Sequence, residues 1–180
     1  MKKRALVIMA LLAAFAATAT SFATTSATTT ASVSAGSGFS VTEAGTSGKH
    51  GQAPSWTVIE GTADSIDTSE RGDLYVVDLS AFPGDVVATL YLTNPADLAA
   101  AYSYLNMAIT AYEKPDTTWS TEPVLGKDDG TFTTYLTLSN GFIALPLVGG
   151  KAYSIGIDAG SYYVNDAANT LTPSFFIDVR

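Results

Sequence analysis

Hydrophobic and polar residues alternate with a period of two along much of this chain. Residues 104–112 show the pattern best, because Leu105, Met107, Ile109 and Ala111 all fall on one face. Such alternation is typical of a β-strand with one buried face. Runs rich in β-branched and aromatic residues predict further strands at 55–60, 73–79, 86–93, 131–138, 142–147, 152–157 and 173–179.

Turn-forming residues separate these strands. The Pro-Gly-Asp sequence at 83–85 predicts a tight turn, and Ser-Asn-Gly at 139–141 predicts a hairpin between its flanking strands. One short helix is predicted over residues 96–102, with Asn94 as its cap and Pro95 at its first position. Strands at this spacing, without long helices, predict an all-β fold, a jelly-roll-like antiparallel β-sandwich.

The first 23 residues have the pattern of a secretory signal peptide. Three basic residues at positions 2–4 precede an apolar run, 5–17, that is shorter than the roughly 20 residues of a membrane-spanning helix. Small residues follow, and we predict cleavage after Ala23, with Ala19 as a second choice. The alternative is an uncleaved membrane anchor. Cleavage predicts a secreted, extracellular protein without a membrane partner.

Charge and cysteine content narrow the class of partner. The chain has 9 Lys and Arg residues against 17 Asp and Glu residues, a net charge of −8. Signal cleavage removes three basic residues, so the mature chain carries six against 17, or −11. Such a chain repels nucleic acid and anionic lipid. Because cysteine is absent, stability must come from the core, from a metal or from association with neighbours.

The surface is expected to be poor in charge. Charged residues make up 14% of the chain, against the ~25% usual for soluble domains. Contact with neighbouring subunits would explain this composition. An extracellular Ser/Thr coat is the alternative.

The start of the mature chain differs from the rest. Residues 24–30 are almost all Thr, Ser and Ala and predict a flexible leader. A single strand is predicted over 31–42, and a loop over 45–54 joins it to the main body. We therefore divide the chain into a signal peptide (1–23), a leader and N-terminal strand (24–44) and one sandwich domain (45–180). The apolar positions of the N-terminal strand are Ala31, Val33, Ala35, Phe39 and Val41.

A longer pattern lies between residues 77 and 112. It reads Val-Asp-Leu-Ser-Ala-Phe-Pro-Gly-Asp, then an alternating strand ending in Leu92-Thr93-Asn94, then the strand from Leu105. This resembles the TasA/camelysin group of bacterial biofilm-fibre proteins and the related archaeal bundling pilins. The resemblance implies a jelly-roll subunit whose N-terminal segment inserts as a strand into the next subunit. Residues 31–42 would be that donor strand.

Elementary physics favours the same function. A sheet that lacks one strand exposes backbone groups that an extended segment of a neighbour can satisfy. Such a head-to-tail contact does not close on itself, so it produces a homopolymeric filament. The sequence thus predicts a pilin-like or biofilm-matrix subunit, with contacts to polysaccharide or to neighbouring fibres. Pairing of the N-terminal strand within its own domain is the alternative.

A second function is consistent with the composition. A secreted monomeric domain that binds carbohydrate or serves in adhesion would use exposed aromatic rings. Its candidate sugar-stacking face consists of Tyr102, Tyr104, Tyr162 and Tyr163.

Catalytic chemistry is not indicated. His50 is the only histidine, and its Gly/Ser/Lys-rich loop predicts a solvated side chain. No Gly-x-Ser-x-Gly motif is present, and one histidine without cysteine cannot build the usual zinc sites. We therefore expect no enzyme activity. A hydrolase that uses scattered carboxylates remains a third alternative.

Carboxylates in loops could bind calcium, the one cofactor that the sequence suggests. Asp128 and Asp129, which precede Gly130, offer hard oxygen ligands, as do Asp64, Asp67 and Glu70. Neither group follows the twelve-residue calcium-loop pattern. The alternative is that these residues form turns and solvated surface.

Overall fold

A computed structural model describes residues 22–33, 38–67, 69–126, 134–169 and 171–180. Within these ranges the chain forms twelve strands and one short helix. They are β1 (Phe22–Ser26), β2 (Thr28–Val33), β3 (Ser40–Glu43), β4 (Ser55–Ile59), β5 (Ala63–Ile66), β6 (Gly72–Asp78), β7 (Val86–Leu92), α1 (Pro95–Ala101), β8 (Tyr102–Lys114), β9 (Tyr135–Thr137), β10 (Phe142–Leu147), β11 (Ala152–Val164) and β12 (Ser174–Val179).

The strands form two large sheets and one small one. The larger sheet has the order β3-β6-β11-β8-β9, and β5 pairs with the second half of β11. The other large sheet has the order β10-β7-β12-β2, and β1 pairs with β4 in a two-stranded sheet. Inward-facing side chains of both large sheets join one buried apolar cluster. The predicted all-β sandwich with one short helix is thereby confirmed.

Alternation along the strands produces this core. In β12, Phe175, Ile177 and Val179 are fully buried, whereas the residues between them are half-buried. The same pattern holds in β7, where Ala88 and Leu90 are fully buried. Successive side chains of a strand point to opposite faces, so each strand contributes every second residue to the core.

The N-terminal region differs from the prediction. Residues 24–30, predicted to be a flexible leader, contribute to β1 and β2. The single strand predicted over 31–42 is wrong, because β2 ends at Val33 and β3 begins at Ser40. Gly38 lies before β3 with φ at +79°, a left-handed conformation that a strand does not contain.

Two pairings also differ from the predicted topology. β2 runs parallel to β12, whereas a wholly antiparallel sandwich was predicted. The predicted hairpin at 139–141 is also wrong, because β9 pairs with β8 in one large sheet and β10 pairs with β7 in the other. Asn140 still forms the tight turn, since its Oδ1 accepts a hydrogen bond from Thr137 N at 2.8 Å.

The helix occurs where it was predicted, but Asn94 does not cap it with its side chain. Asn94 instead binds the segment that leads into β12: its Nδ2 donates to Thr172 O at 3.0 Å, and its Oδ1 accepts from Ser174 N at 2.9 Å. Leu98 and Ala101 are fully buried. The helix thus packs on the sandwich, and Asn94 at its start holds the segment that leads into β12.

Gly156 is needed at an irregularity of β11. The register with β6 shifts between Ile155 and Gly156, and a Cβ atom on Gly156 would lie 2.3 Å from Gly72 O. Because a paired backbone cannot move aside freely, we expect Gly156→Ala to lower the free energy of unfolding by about 2–3 kcal/mol. Chemical denaturation measures this loss.

Gly61→Ala is the matched control. Gly61 has φ at +74°, but an added methyl group would contact nothing within 4 Å. Gly61→Ala should therefore lower the free energy of unfolding only because alanine disfavours this backbone conformation, by about 1–2 kcal/mol. A loss for Gly156→Ala smaller than that for Gly61→Ala would contradict the close approach of the two strands.

Candidate functional site

Strand β2 and the edge of β12 form the first candidate site. The two strands pair in parallel over their whole length, from Thr28 opposite Ser174 to Val33 opposite Val179. β2 has no further strand on its other side in the described sheet. The strand expected to act as a donor therefore contacts the body of its own chain as an edge strand.

Backbone contacts dominate the docking of β2. The side chains of Thr28, Thr30 and Ala31 are exposed, and that of Thr29 is half-buried. Thr28 N donates to Pro173 O at 2.9 Å, just before the ladder with β12 begins. Because the side chains of residues 28–31 bury little apolar surface, these residues gain little from the hydrophobic effect.

Tyr75 connects β2 to the larger sheet, which contains β6. This fully buried residue of β6 donates its hydroxyl proton to Thr30 O at 2.6 Å and accepts a hydrogen bond from Thr30 N at 3.1 Å. Burial raises the pKa of Tyr75, so the hydroxyl keeps its proton and can donate. Thr30 Oγ1 also donates to Phe175 O at 3.2 Å. Thr30 is thus held by both sheets.

An open cavity of about 360 Å³ lies beside the start of β2. Thr28 and Thr29 form one wall, and Glu43, Ala53 and Leu74 are among the residues on the other side. The start of β2 therefore does not pack tightly against the body of the domain.

The predicted donor residues fall on different elements. Ala31 is exposed on β2, and Val33 ends that strand. Phe39 packs edge-on against Phe82 with ring centroids 5.4 Å apart, and Val41 lies on β3 opposite Val77. Ala35 lies outside the described residues. The structure therefore groups Ala31 and Val33 at the β12 edge and places Phe39 and Val41 on the domain body.

The predicted cleavage position lies in β1. Ala23 is opposite Val58 in the antiparallel pair of β1 and β4. A mature chain that begins at Thr24 retains the part of β1 opposite residues 55–57. The predicted cut therefore leaves β2 intact.

The predicted calcium ligands do not form a described site. Asp128 and Asp129 lie outside the described residues. Asp67 accepts hydrogen bonds from Ser69, and Glu70 accepts one from Asp67 N. Across the described ranges, no group of three or more His, Asp or Glu side chains is arranged to hold a metal ion.

A second candidate site surrounds His50, and here the prediction of a solvated side chain is wrong. The His50 side chain is 13% exposed, and its Nδ1 lies 3.1 Å from Asp73 Oδ1. The backbone N–H groups of His50 and Gly51 donate to Asp73 Oδ2 at 2.5 and 2.9 Å. Ser154 Oγ donates to Asp73 Oδ1 at 2.8 Å. The loop thus wraps around one buried carboxylate.

Gly48 permits this close wrapping. A Cβ atom on Gly48 would lie 2.5 Å from Asp73 Oδ2, which is shorter than any van der Waals contact. The glycine-rich sequence that suggested a solvated loop is therefore what allows the loop to approach the carboxylate. Asp73 lies at the start of a predicted strand, and nothing in the sequence linked it to His50.

The other ring nitrogen of His50 faces a second carboxylate. His50 Nε2 lies 3.7 Å from Asp158 Oδ1, and Arg71 Nε lies 3.9 Å from the same oxygen. The Tyr112 hydroxyl donates to Asp158 Oδ2. Since Ser154 binds Asp73 rather than His50 Nε2, these residues do not form a Ser-His-Asp triad. These contacts hold the loop that contains His50 against β6, β8 and β11.

Comparisons with protein-family models and with curated proteins do not assign this chain to a family. No protein-family model and no curated protein matches this chain. In the described part of the chain, no helix has the length and hydrophobicity needed to span a bilayer.

The Asp73 cluster predicts acid sensitivity. Burial alone would raise the pKa of Asp73, but hydrogen bonds from the His50 ring, Ser154 and the His50 backbone outweigh it, so the pKa lies below the ordinary 3.8. A depressed carboxyl pKa stabilises the folded state above pH 3.8, and that contribution is lost as the pH falls through the folded pKa. Urea unfolding from about pH 6 down to pH 2 measures it.

Asp73→Asn provides the comparison. We expect it to lower the free energy of unfolding by about 2–3 kcal/mol at neutral pH and to flatten the decline below pH 3.8. Asp97→Asn, which removes an exposed carboxyl in the first turn of α1, is the control and should change the free energy of unfolding little at neutral pH. An equal effect of both substitutions would show that Asp73 is not the source.

Proposed function

We propose that this protein is the structural subunit of an extracellular filament that polymerises by donor-strand complementation. In the filament, β2 of one copy occupies the β12 edge of the next copy. The observation that carries the proposal is the docking of β2, an edge strand whose residues 28–31 have mostly exposed side chains and which is held by backbone groups and by the Tyr75 hydroxyl.

Exchange between copies would keep the same contacts. A second copy presents the same β12 edge and the same Tyr75. β2 can therefore make the same hydrogen bonds with a neighbour as with its own domain. The Tyr75 hydroxyl hydrogen-bonds to the backbone N–H and C=O of Thr30, and such backbone recognition suits a donor of low sequence complexity. The main free-energy cost is the translational and rotational freedom that the second chain loses. A higher protein concentration offsets this cost.

Sequence features support the proposal. Residues 34–38, which join β2 to β3, read Ser-Ala-Gly-Ser-Gly, and small residues of this kind absorb the backbone rotations of an exchange. The signal-peptide pattern supports a location outside the cell, and the resemblance to the TasA/camelysin group implies the same mode of assembly. The donor proposed here is centred on β2 rather than on residues 31–42.

The direction of the contact favours a filament. Each copy offers one donor strand and one acceptor edge, which are different surfaces, so each added copy leaves one of each free. The charge-poor composition is consistent with further contacts between neighbours. We assign no enzyme activity, because the polar cluster around His50 has a sufficient role as a structural brace.

Engineered cysteines distinguish exchange from pairing within one chain. The chain has no cysteine, and Thr28 lies opposite Ser174 on adjacent strands, which are ~4.8 Å apart and within disulfide range. We expect a mixture of Thr28→Cys and Ser174→Cys single variants of the mature chain to form disulfide-linked dimers under oxidation. Non-reducing electrophoresis reveals them.

The control moves the cysteine out of register. Ala31→Cys mixed with Ser174→Cys should form few dimers, because three residues of strand displace the thiols by roughly 10 Å. A Thr28→Cys and Ser174→Cys mixture that stays monomeric, while the double variant closes within one chain, would disprove the exchange.

Tyr75→Phe should speed the exchange of β2 between copies. It removes two hydrogen bonds to Thr30, worth about 0.5–1.5 kcal/mol each, from the closed chain and from the filament alike, so we expect β2 to undock about tenfold faster while the critical concentration changes little. The rate of dimer formation in the Thr28→Cys and Ser174→Cys mixture measures the exchange, and sedimentation measures the critical concentration. Tyr153→Phe is the matched control, because the Tyr153 hydroxyl makes the same two hydrogen bonds to Val148. Equal effects of the two substitutions would argue against Tyr75 as a docking residue.

A further inference from the structure

Three aromatic rings line up on the outer face of the four-stranded sheet. Tyr91 of β7 lies opposite Phe142 of β10 on one side and Phe176 of β12 on the other. The ring centroid of Tyr91 lies 5.9 Å from that of Phe142 and 6.0 Å from that of Phe176. Phe142 is 56% exposed. Tyr91 and Phe176 are half-buried, so the row presents the Phe142 ring and parts of the other two rings to solvent.

Polar groups flank this row. A groove of about 520 Å³ is lined by Tyr91, Thr93, Phe176, Asp178 and Arg180. Arg180 Nε lies 2.7 Å from Asp178 Oδ2. The groove thus combines two aromatic rings with a hydroxyl, a carboxylate and a guanidinium, and its volume is in the usual range for ligand sites.

We propose that this face binds a neutral polysaccharide. The C–H face of a sugar ring packs on an aromatic ring, and the hydroxyls at its edge need hydrogen-bond partners, which Thr93, Asp178 and Arg180 provide. The row extends over two ring-to-ring steps across three strands, so it suits a chain of sugars better than a single one.

Charge favours an uncharged ligand. Asp178 and Arg180 form an ion pair and neutralise each other. The rest of the chain carries a net negative charge, which repels anionic polysaccharides. A neutral glycan meets neither repulsion nor an unpaired charge.

The area of the face argues against a second copy of this chain as the main occupant. Four strands about 4.8 Å apart and six residues long give a sheet face of roughly 20 by 20 Å, or about 400 Å². A stable protein–protein interface needs about 800 Å² from each partner. The face is too small for that role by itself, but it is large enough to hold a few sugar rings.

The structure selects different aromatic residues from those that the sequence suggested. Tyr102 and Tyr162 are 1% exposed, and their hydroxyls donate to Leu171 O and Thr57 O, so the expected face of four tyrosines does not form. Tyr104 and Tyr163 remain as a pair with centroids 6.5 Å apart. This pair, on the six-stranded sheet, offers a matched control.

Retention of the full-length mature protein on insoluble cellulose, chitin and β-1,3-glucan tests the proposal. We expect binding to at least one of them and none to the anionic polysaccharide alginate. Phe142→Ala and Tyr91→Ala should each weaken binding at least tenfold, whereas Tyr104→Ala should leave it unchanged. Circular dichroism and thermal unfolding confirm that each variant is folded.

Filament assembly is measured on the same variants, because the aromatic row uses side chains whereas the docking of β2 uses the backbone of β12. Retention that is lost in Phe142→Ala and kept in Tyr104→Ala supports the proposal, whether or not the protein forms filaments. Absence of retention of the unmodified protein on all three neutral glycans overturns it. If Phe142→Ala instead reduces filament yield while no glycan is bound, the face is a contact between copies and the proposal is wrong.

Discussion

The backbone edge of β12 is the constraint on which the N-terminal half of this structure depends. β12 supplies fully buried core residues, Phe175, Ile177 and Val179, yet only β7 covers one of its edges from within the body of the domain. Its other edge must be satisfied by a strand, because unpaired backbone groups beside a core are costly. β2 meets this need and is joined to the body by a short Gly/Ser-rich sequence. Whichever chain supplies β2, the core requires it.

β6 anchors the N-terminal region to the sandwich at two points. Tyr75 holds the backbone of Thr30, and Asp73 holds the loop around His50. Both side chains are buried on one strand of the larger sheet, so the same rigid element positions the docking strand and the loop that follows β3. A buried carboxylate and a buried hydroxyl persist because backbone N–H and C=O groups satisfy them. This arrangement separates the body of the domain from the strand that we propose is exchanged between copies.

Local sequence predicted the strands well and their partners poorly. Most strand positions, the helix after Asn94 and the all-β class follow from alternation and turn residues, which reflect contacts within a few residues. Alternation could not show that Gly38 interrupts the N-terminal strand or that Asn140 turns the chain from one sheet to the other. Pairing depends on residues far apart in sequence, for which a single sequence carries no direct signal.

The sequence by itself determined the alternating strands, the absence of cysteine, the acidic charge and the low-complexity start that makes β2 a backbone-docked strand. Only the tertiary structure decided which polar and aromatic residues act together. His50 belongs to a buried cluster because Gly48 lets its loop reach Asp73, and Tyr91 stands in an exposed row because its neighbours across two strands are also aromatic. Burial and cross-strand register are properties of the packed sheets, and they determine the chemistry of each side chain.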